Sequence, residues 1–424
     1  MSDWKSFGLR SMPPLSARTP VRALPPMLDA LAASCRSLAG EALRGISIDG
    51  QPRRGLFRLD GAGASTAPIF EAAQRFVDQL DPAQRARLVF PLDADERRYW
   101  FNIHPNVFRH GLLLEDLSPA QRQAGLGILE TTLSGRGFRQ ARDIMRLNGL
   151  LGELTGSADE YGEWPYWISL FGEPSLDAPW AWQIDGHHLN LNCTVLDDQV
   201  VMAPSFMGSE PCQVTDGPLR GTQVFGEEER AGLDLVRALD DTQLAAAVLR
   251  DSIHPDDLPS ELKHPVDGRM VAGAFKDNAV VGHEGLRGDA MTDGQRRLLR
   301  SIVATYVGWA DDSHTGVRMR EVDAHLDETH FAWMGARRDE GPFYYRVHSP
   351  VVLIEFDHHP GVAFDNLVPS RHHVHSILRA PNGGDYGVDL LAQHYERFDH
   401  GGQRRRASAP PGPERRTVLG EAGQ

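Results

Sequence analysis

Two well-separated stretches of this chain alternate polar and apolar residues with a period of two, the pattern of a strand with two unlike faces. In Trp182–Asn192, Asp185, His187, Leu189 and Leu191 fall on one face. Ile184, Gly186, His188, Asn190 and Asn192 fall on the other, a polar face better suited to a wet pocket than to a core. In His372–Arg379, His373, His375 and Arg379 project together, while His372 and Val374 point away. The spacing predicts two antiparallel hairpins, about Ile184–Val195 with Gln199–Phe206 and Val347–Phe356 with His373–Leu378. Helical periodicity is clearest from Met27 to about Leu43, where Leu28, Leu31, Leu38 and Leu43 recur among alanines.

Helix-start signals come in a repeated order. Asp81 is followed three residues later by Gln84, Ser118 by Gln121, Asp240 by Gln243 and Thr292 by Gln295. Each pair reads as a capping box, which satisfies the unpaired amides of a first helical turn. Phe171-Gly172 precedes Trp182 as Met334-Gly335 precedes Tyr345, so Trp182-Gln183-Ile184-Asp185 aligns with Tyr345-Arg346-Val347-His348. The expectation is an α+β fold built from an internal duplication, each copy a helical layer followed by an antiparallel hairpin, with pseudo-twofold halves forming one compact unit. The expected boundaries are a mobile segment over 1–26, a first half over 27–218, a second half over 219–400 and a disordered basic tail over 401–424.

Composition narrows the partners. A net charge of −14 and a pI near 5.7 argue against nucleic acid or an anionic membrane surface. No apolar run reaches the roughly 20 residues of a membrane-spanning helix, and no secretory leader is visible. Cys35, Cys193 and Cys212 form neither a CxxC motif nor an even set, so neither a disulfide framework nor a thiolate zinc site is suggested. The expected compartment is therefore cytoplasmic.

The candidate chemistry is histidine chemistry. His373 and His375, on adjacent same-face positions of one strand, can chelate a single ion, and His188 is the first choice for a third ligand, with His187 the second. Neutral imidazoles suit a divalent transition metal such as zinc, iron or copper. Glu355, inside the apolar run Val351–Asp357, reads either as a proton-handling carboxylate raised by burial or as half of a buried ion pair with Arg379 or Arg346. Asp185 reads as a second proton handler or as a partner for His187. Arg379, before the Pro381–Gly387 turn, reads as an anion contact that would orient a substrate carboxylate. Asp385 reads as a helix cap, and His358 and His359 as turn residues. The stretches Arg142–Asn148 and Glu160–Trp167 either line a pocket or pack helix on sheet.

Taken together, Arg142–Asn148, Tyr161-Gly162-Glu163-Trp164, Trp182–His188, Pro204–Gly208, Leu353–Asp357 and the His373-Val374-His375…Arg379…Asp385-Tyr386-Gly387 run resemble a bacterial family of unknown function, over about residues 70–398. Many of its members look exported, and the resemblance brings no settled activity. The expected function is a metal-dependent enzyme acting on a small anionic molecule where the two halves meet, by hydrolase, lyase or oxygenase chemistry. The alternatives are a non-catalytic small-ligand binder using the same histidines and Arg379, and a homodimer contact built from the histidine faces.

Overall fold

The computed structural model describes residues 7–10, 16, 18–19, 26–59, 63–104, 106–158, 160–263 and 267–398. The irregular stretch expected up to residue 26 lies largely outside them, and the basic tail wholly so. The described chain is an α+β protein organised on one 13-stranded sheet. Its strands are β1 Val89–Phe90, β2 Leu112–Leu113, β3 Tyr166–Phe171, β4 Trp180–Gly186, β5 Leu189–Leu196, β6 Gln199–Val201, β7 Ser205–Ser209, β8 Val248–Arg250, β9 Leu286–Arg287, β10 His330–Gly335, β11 Phe343–His348, β12 Leu353–His358 and β13 Val374–Arg379.

The spatial order is β1-β3-β4-β5-β7-β13-β12-β11-β10-β8, with β2 on β3, β6 on β5 and β9 on β10. The sequence therefore runs up one half of the sheet and down the other. Each outermost strand lies parallel to its neighbour, β1 on β3 and β8 on β10, while the remaining pairs are antiparallel. Registers also correspond. Leu170 stands opposite Trp182, and Trp182 opposite Cys193; Trp333 stands opposite Tyr345, and Tyr345 opposite Phe356. The antiparallel pair β7–β13, with Ile377 opposite Phe206, joins the two halves.

The capping residues act as the sequence predicts. Asp81, Ser118, Asp240 and Thr292 each accept the backbone N–H of the glutamine three residues on, whose side chain accepts in return from the cap. Gln121 also donates to the Gln79 carbonyl and to Gln84, and Gln295 donates likewise to the Ala238 carbonyl and Gln243. These bonds lock the start of one helix onto the end of another in each half.

The two faces of the sheet bury unlike residues. One carries Ile168, Trp182, Leu191, Met207, Ile354, Tyr345 and Trp333 into a large apolar core shared with helices Ala67–Asp78, Pro119–Thr132, Gly135–Thr155, Gly226–Arg237 and Asp293–Val307. An aromatic row crosses it, with Tyr345 stacked on Phe356 at 5.2 Å and Trp333 on Phe343 at 4.5 Å. Each such pair contributes about 0.5–1.5 kcal/mol beyond area burial. The other face is polar yet equally buried: Gln183, Asp185, Asn190, Asn192, Glu355, Asp357 and Arg379 are all under 4% exposed. Its cover is the helix Pro26–Ala39 together with Trp100, Phe101, Phe108, Met270 and Phe275, which pack on Phe206 and Ile377.

Two expectations change here. The segment Trp182–Asn192 is not one strand, because Gly186 pairs with Leu189 and His187-His188 form the tight turn between β4 and β5. A His-His turn carries none of the usual Asn or Gly signals, and its flanking alternation looks continuous. The polar face is also buried rather than open to a pocket. Its amides are spent on protein partners: Asn190 on Asp185 and the Gly186 carbonyl, Asn192 on the Pro204 carbonyl, Gln183 on Asn192 and the Arg97 carbonyl.

Candidate metal centre

His188, His373 and His375 converge. Their Nε2 atoms form a nearly equilateral triangle: 3.2 Å from His188 to His373, 3.1 Å from His373 to His375 and 3.2 Å from His375 to His188. Among the described residues this is the one group that brings three such ligand atoms within 4.8 Å of one another. An ion bound to nitrogen at about 2.0–2.1 Å sets an N···N edge of about 3.3–3.4 Å when tetrahedral and about 2.9 Å when octahedral. The triangle falls between the two.

The backbone holds this arrangement at some cost. His188 sits in the left-handed region at φ 62°, where a non-glycine residue is strained by on the order of 1–3 kcal/mol. It is clamped there, its N–H donating to the Asn102 carbonyl and its carbonyl accepting from Gly208 N–H. Gly208, register partner of His375, lies beneath both rings. A Cβ there would stand 2.8 Å from the Val374 carbonyl oxygen, 3.0 Å from His188 Cδ2 and 3.1 Å from His375 Cδ2. Only a residue without a side chain leaves both imidazoles in place.

Ligand tautomers follow from the next layer. His373 Nδ1 donates to the Pro360 carbonyl at 2.6 Å, which leaves the lone pair on Nε2. His375 Nδ1 is buried without a partner, so that ring is held by packing: His359 at 4.0 Å between centroids and Phe206 at 5.1 Å. Burial, and then the neighbouring imidazoles, lower the pKa of both His188 and His375 well below the ordinary value. Both are thus neutral near pH 7, the form that binds metal. At most one Nε2–H can point at each neighbour, and His373 has none to give. A cation answers three lone pairs at once, so the donor set fits a metal.

His187, the second choice, is not in the triangle. It stacks on His188 with centroids 3.9 Å apart, and its Nδ1 bonds Asn148 Oδ1 at 2.7 Å. Asn148, from the stretch Arg142–Asn148, also donates to the Gly162 carbonyl, so this helix does abut the site. Beyond it, His104 lies 5.7 Å from His187 and pairs with buried Glu160 at 2.9 Å. On the opposite flank Asp357 Oδ2 is 3.1 Å from His359 Nε2. Burial would raise Asp357, but Arg269 and His359 hold it below its usual value. Six histidines therefore touch in series from His104 to His359.

The expected catalytic residues are placed differently. Glu355 accepts from Val271 N–H, Ala272 N–H and Tyr344 O–H, and burial raises its pKa. Asp185 accepts from Phe101 N–H and Asn190, and burial lifts it to about 8. Arg379 is fully engaged: it donates to the Ala272 and Gly273 carbonyls and to Asp277 and Asp385 at 2.8 and 3.1 Å. Asp385 accepts from Ala380 N–H rather than capping the helix Val388–Arg397. These groups pin the covering loops to the sheet, because a buried charge needs partners on every side. A cavity of about 370 Å³ near the loop before β13 is lined by Phe7, Gln213, Glu229, Arg371 and His372, not by the three ligands.

His359 and Gly208 are the site residues that sequence reasoning passed over. His358-His359-Pro360-Gly361 reads as a turn. The alternation Glu355, Asp357, His359, however, continues the face of β12 one step past its end. Gly208 carries no signal without knowledge of its register partner.

The molecule is thus an α+β protein with a buried three-histidine centre at the seam of its sheet. It belongs to the family described as "Protein of unknown function (DUF3500)", whose model matches residues 62–388. No curated protein and no solved structure matches it. No helix among the described residues is long and apolar enough to cross a membrane.

Proposed function

We propose that this chain is a metal-dependent enzyme in which His188, His373 and His375 hold one divalent transition metal. The reading rests on the Nε2 triangle of 3.1–3.2 Å. Structural zinc sites close with four protein ligands, whereas three leave a position for water or substrate. A bound ion would supply Lewis acidity or an activated water, or redox chemistry if it were iron or copper. Three neutral imidazoles leave an ion's double charge uncompensated, which favours an anionic or carbonyl-bearing small substrate. The protein's own contribution is to exclude bulk water and fix the rings: His373 through Pro360, His375 between His359 and Phe206, His188 through its clamped turn.

The mirrored strand order and matching registers support reading the chain as two copies of one α+β unit. His188 then comes from the first copy and His373 and His375 from the second, so only their union makes the centre.

Elemental analysis of protein purified without a histidine tag tests the reading. One tightly bound equivalent of metal, retained through purification, is expected in the parent and none in folded His373→Ala or His375→Ala. Metal-free parent that neither takes up zinc, iron or copper nor gains thermal stability from them removes the proposal. A tight complex with small carboxylates that needs no metal and shows no turnover would favour the binding-protein alternative.

A further inference from the structure

We infer a second, weaker divalent-metal site on the same face of the sheet, formed by His283, His330 and His348 and independent of the first. His330 and His348 are register partners on β10 and β11, and His283 comes from the segment just before β9. Partners on adjacent antiparallel strands carry Cβ atoms about 5 Å apart, a spacing from which two imidazoles reach one ion. The His283 ring lies against both, 4.3 Å from His330 and 4.6 Å from His348. The His283–His348 pair stands edge to face at 84°, the ring arrangement that His373–His375 adopts at 85°.

The hydrogen-bond inventory points the same way. His283 Nε2 and His348 Nδ1 are both buried without a partner. Two such nitrogens on neighbouring rings call for something to satisfy them. His330 Nδ1 donates to the Glu328 carbonyl at 3.1 Å, which puts its lone pair on Nε2. The neighbouring carboxylates are committed elsewhere, Glu284 to Arg346 and Glu328 to His325 and Arg53. Ring nitrogens are therefore the donors on offer, a set suited to zinc, copper or nickel rather than magnesium or calcium. The three nitrogens do not lie within 4.8 Å of one another as those of the first triad do. His283 is half-buried and its ring must turn to bring its nitrogen to the buried His348 and to His330, which is held through Nδ1. That adjustment, and the nearby Arg346 charge, make this the weaker site.

Zinc titration by calorimetry on chelator-treated full-length protein separates the two. The parent takes up two equivalents in a tight and a weak phase. His373→Ala/His375→Ala keeps only the weak phase. His283→Asn, which removes a half-exposed ring, keeps the tight phase unchanged and weakens the other by at least about tenfold. A weak phase unchanged in His283→Asn, or no zinc uptake by the triad-less protein, overturns the inference. Loss of the tight phase alone in the parent would instead count against the first site.

Discussion

Replacing Gly208 with alanine adds one methyl group to the seam of the sheet and separates two effects of opposite sign. In an ordinary strand the change would stabilise by about 0.5–1 kcal/mol, because glycine loses more backbone freedom on folding. Here the new Cβ meets the Val374 carbonyl oxygen at 2.8 Å, His188 Cδ2 at 3.0 Å and His375 Cδ2 at 3.1 Å. The oxygen belongs to a paired strand and cannot retreat cheaply, so the rings or the strand must shift by a few tenths of an ångström. Overpacking of this kind costs about 1–3 kcal/mol. The net expectation is a loss of up to about 2.5 kcal/mol, from the clash less the entropic gain. Ring displacement should weaken metal binding by roughly 10–100-fold, the scale seen when ligand support is lost. Urea unfolding of metal-free and metal-loaded protein, with zinc competition against a chromophoric chelator, reads both quantities. A Gly208→Ala protein that is more stable than the parent and binds zinc equally well would refute the packing argument.

Four further outcomes follow from the same geometry. Metal at one hundred times its dissociation constant should stabilise the fold by about 2.7 kcal/mol, seen as a melting-temperature rise that His375→Ala abolishes. Asp185, lifted by burial to about 8, binds a proton more readily folded than unfolded. Its contribution is therefore full below about pH 4 and lost as pH rises through about 8; Asp185→Asn, which keeps the acceptor for Phe101 and Asn190, should flatten that decline in a pH series of denaturant melts. Arg379→Met should cost about 3–5 kcal/mol by stranding Asp277 and Asp385, and should do so equally with and without metal, as an anion contact in the site would not. His359→Ala should leave the fold within about 1–2 kcal/mol of the parent while loosening His375, visible as weaker zinc competition at unchanged stoichiometry.

Much of this was readable in the residues because the relevant signals are local. Asp81 with Gln84 and Thr292 with Gln295 announce helix starts through bonds spanning three residues, and the structure has all four such boxes. The same-face spacing of His373 and His375 is likewise a property of one strand. His188 entered the candidate ligands by analogy with that pair, and it reaches them through a turn at positive φ that strand periodicity does not foresee. Arg379 shows what the sequence hides: an arginine beside a glycine-rich corner looks available for a ligand, and only the fold reveals Asp277, 102 positions away, as its counter-charge. His359 was legible as the next step of the Glu355–Asp357 alternation, but its Pro-Gly neighbours read as a turn; Gly208 depends on which strand lies next to which, and composition and periodicity are silent on that.

The β7–β13 ladder has a corollary for how the polypeptide becomes competent. On the proposed reading, His188 and the pair His373 and His375 would hold one ion from either side of that ladder, so a ribosome would have to finish nearly the whole chain before this site could capture a cation. A polypeptide nicked in the exposed stretch near Gly217 would regain its ion only when the two fragments reassemble. Cation uptake would then serve as a readout of reunion between the fragments.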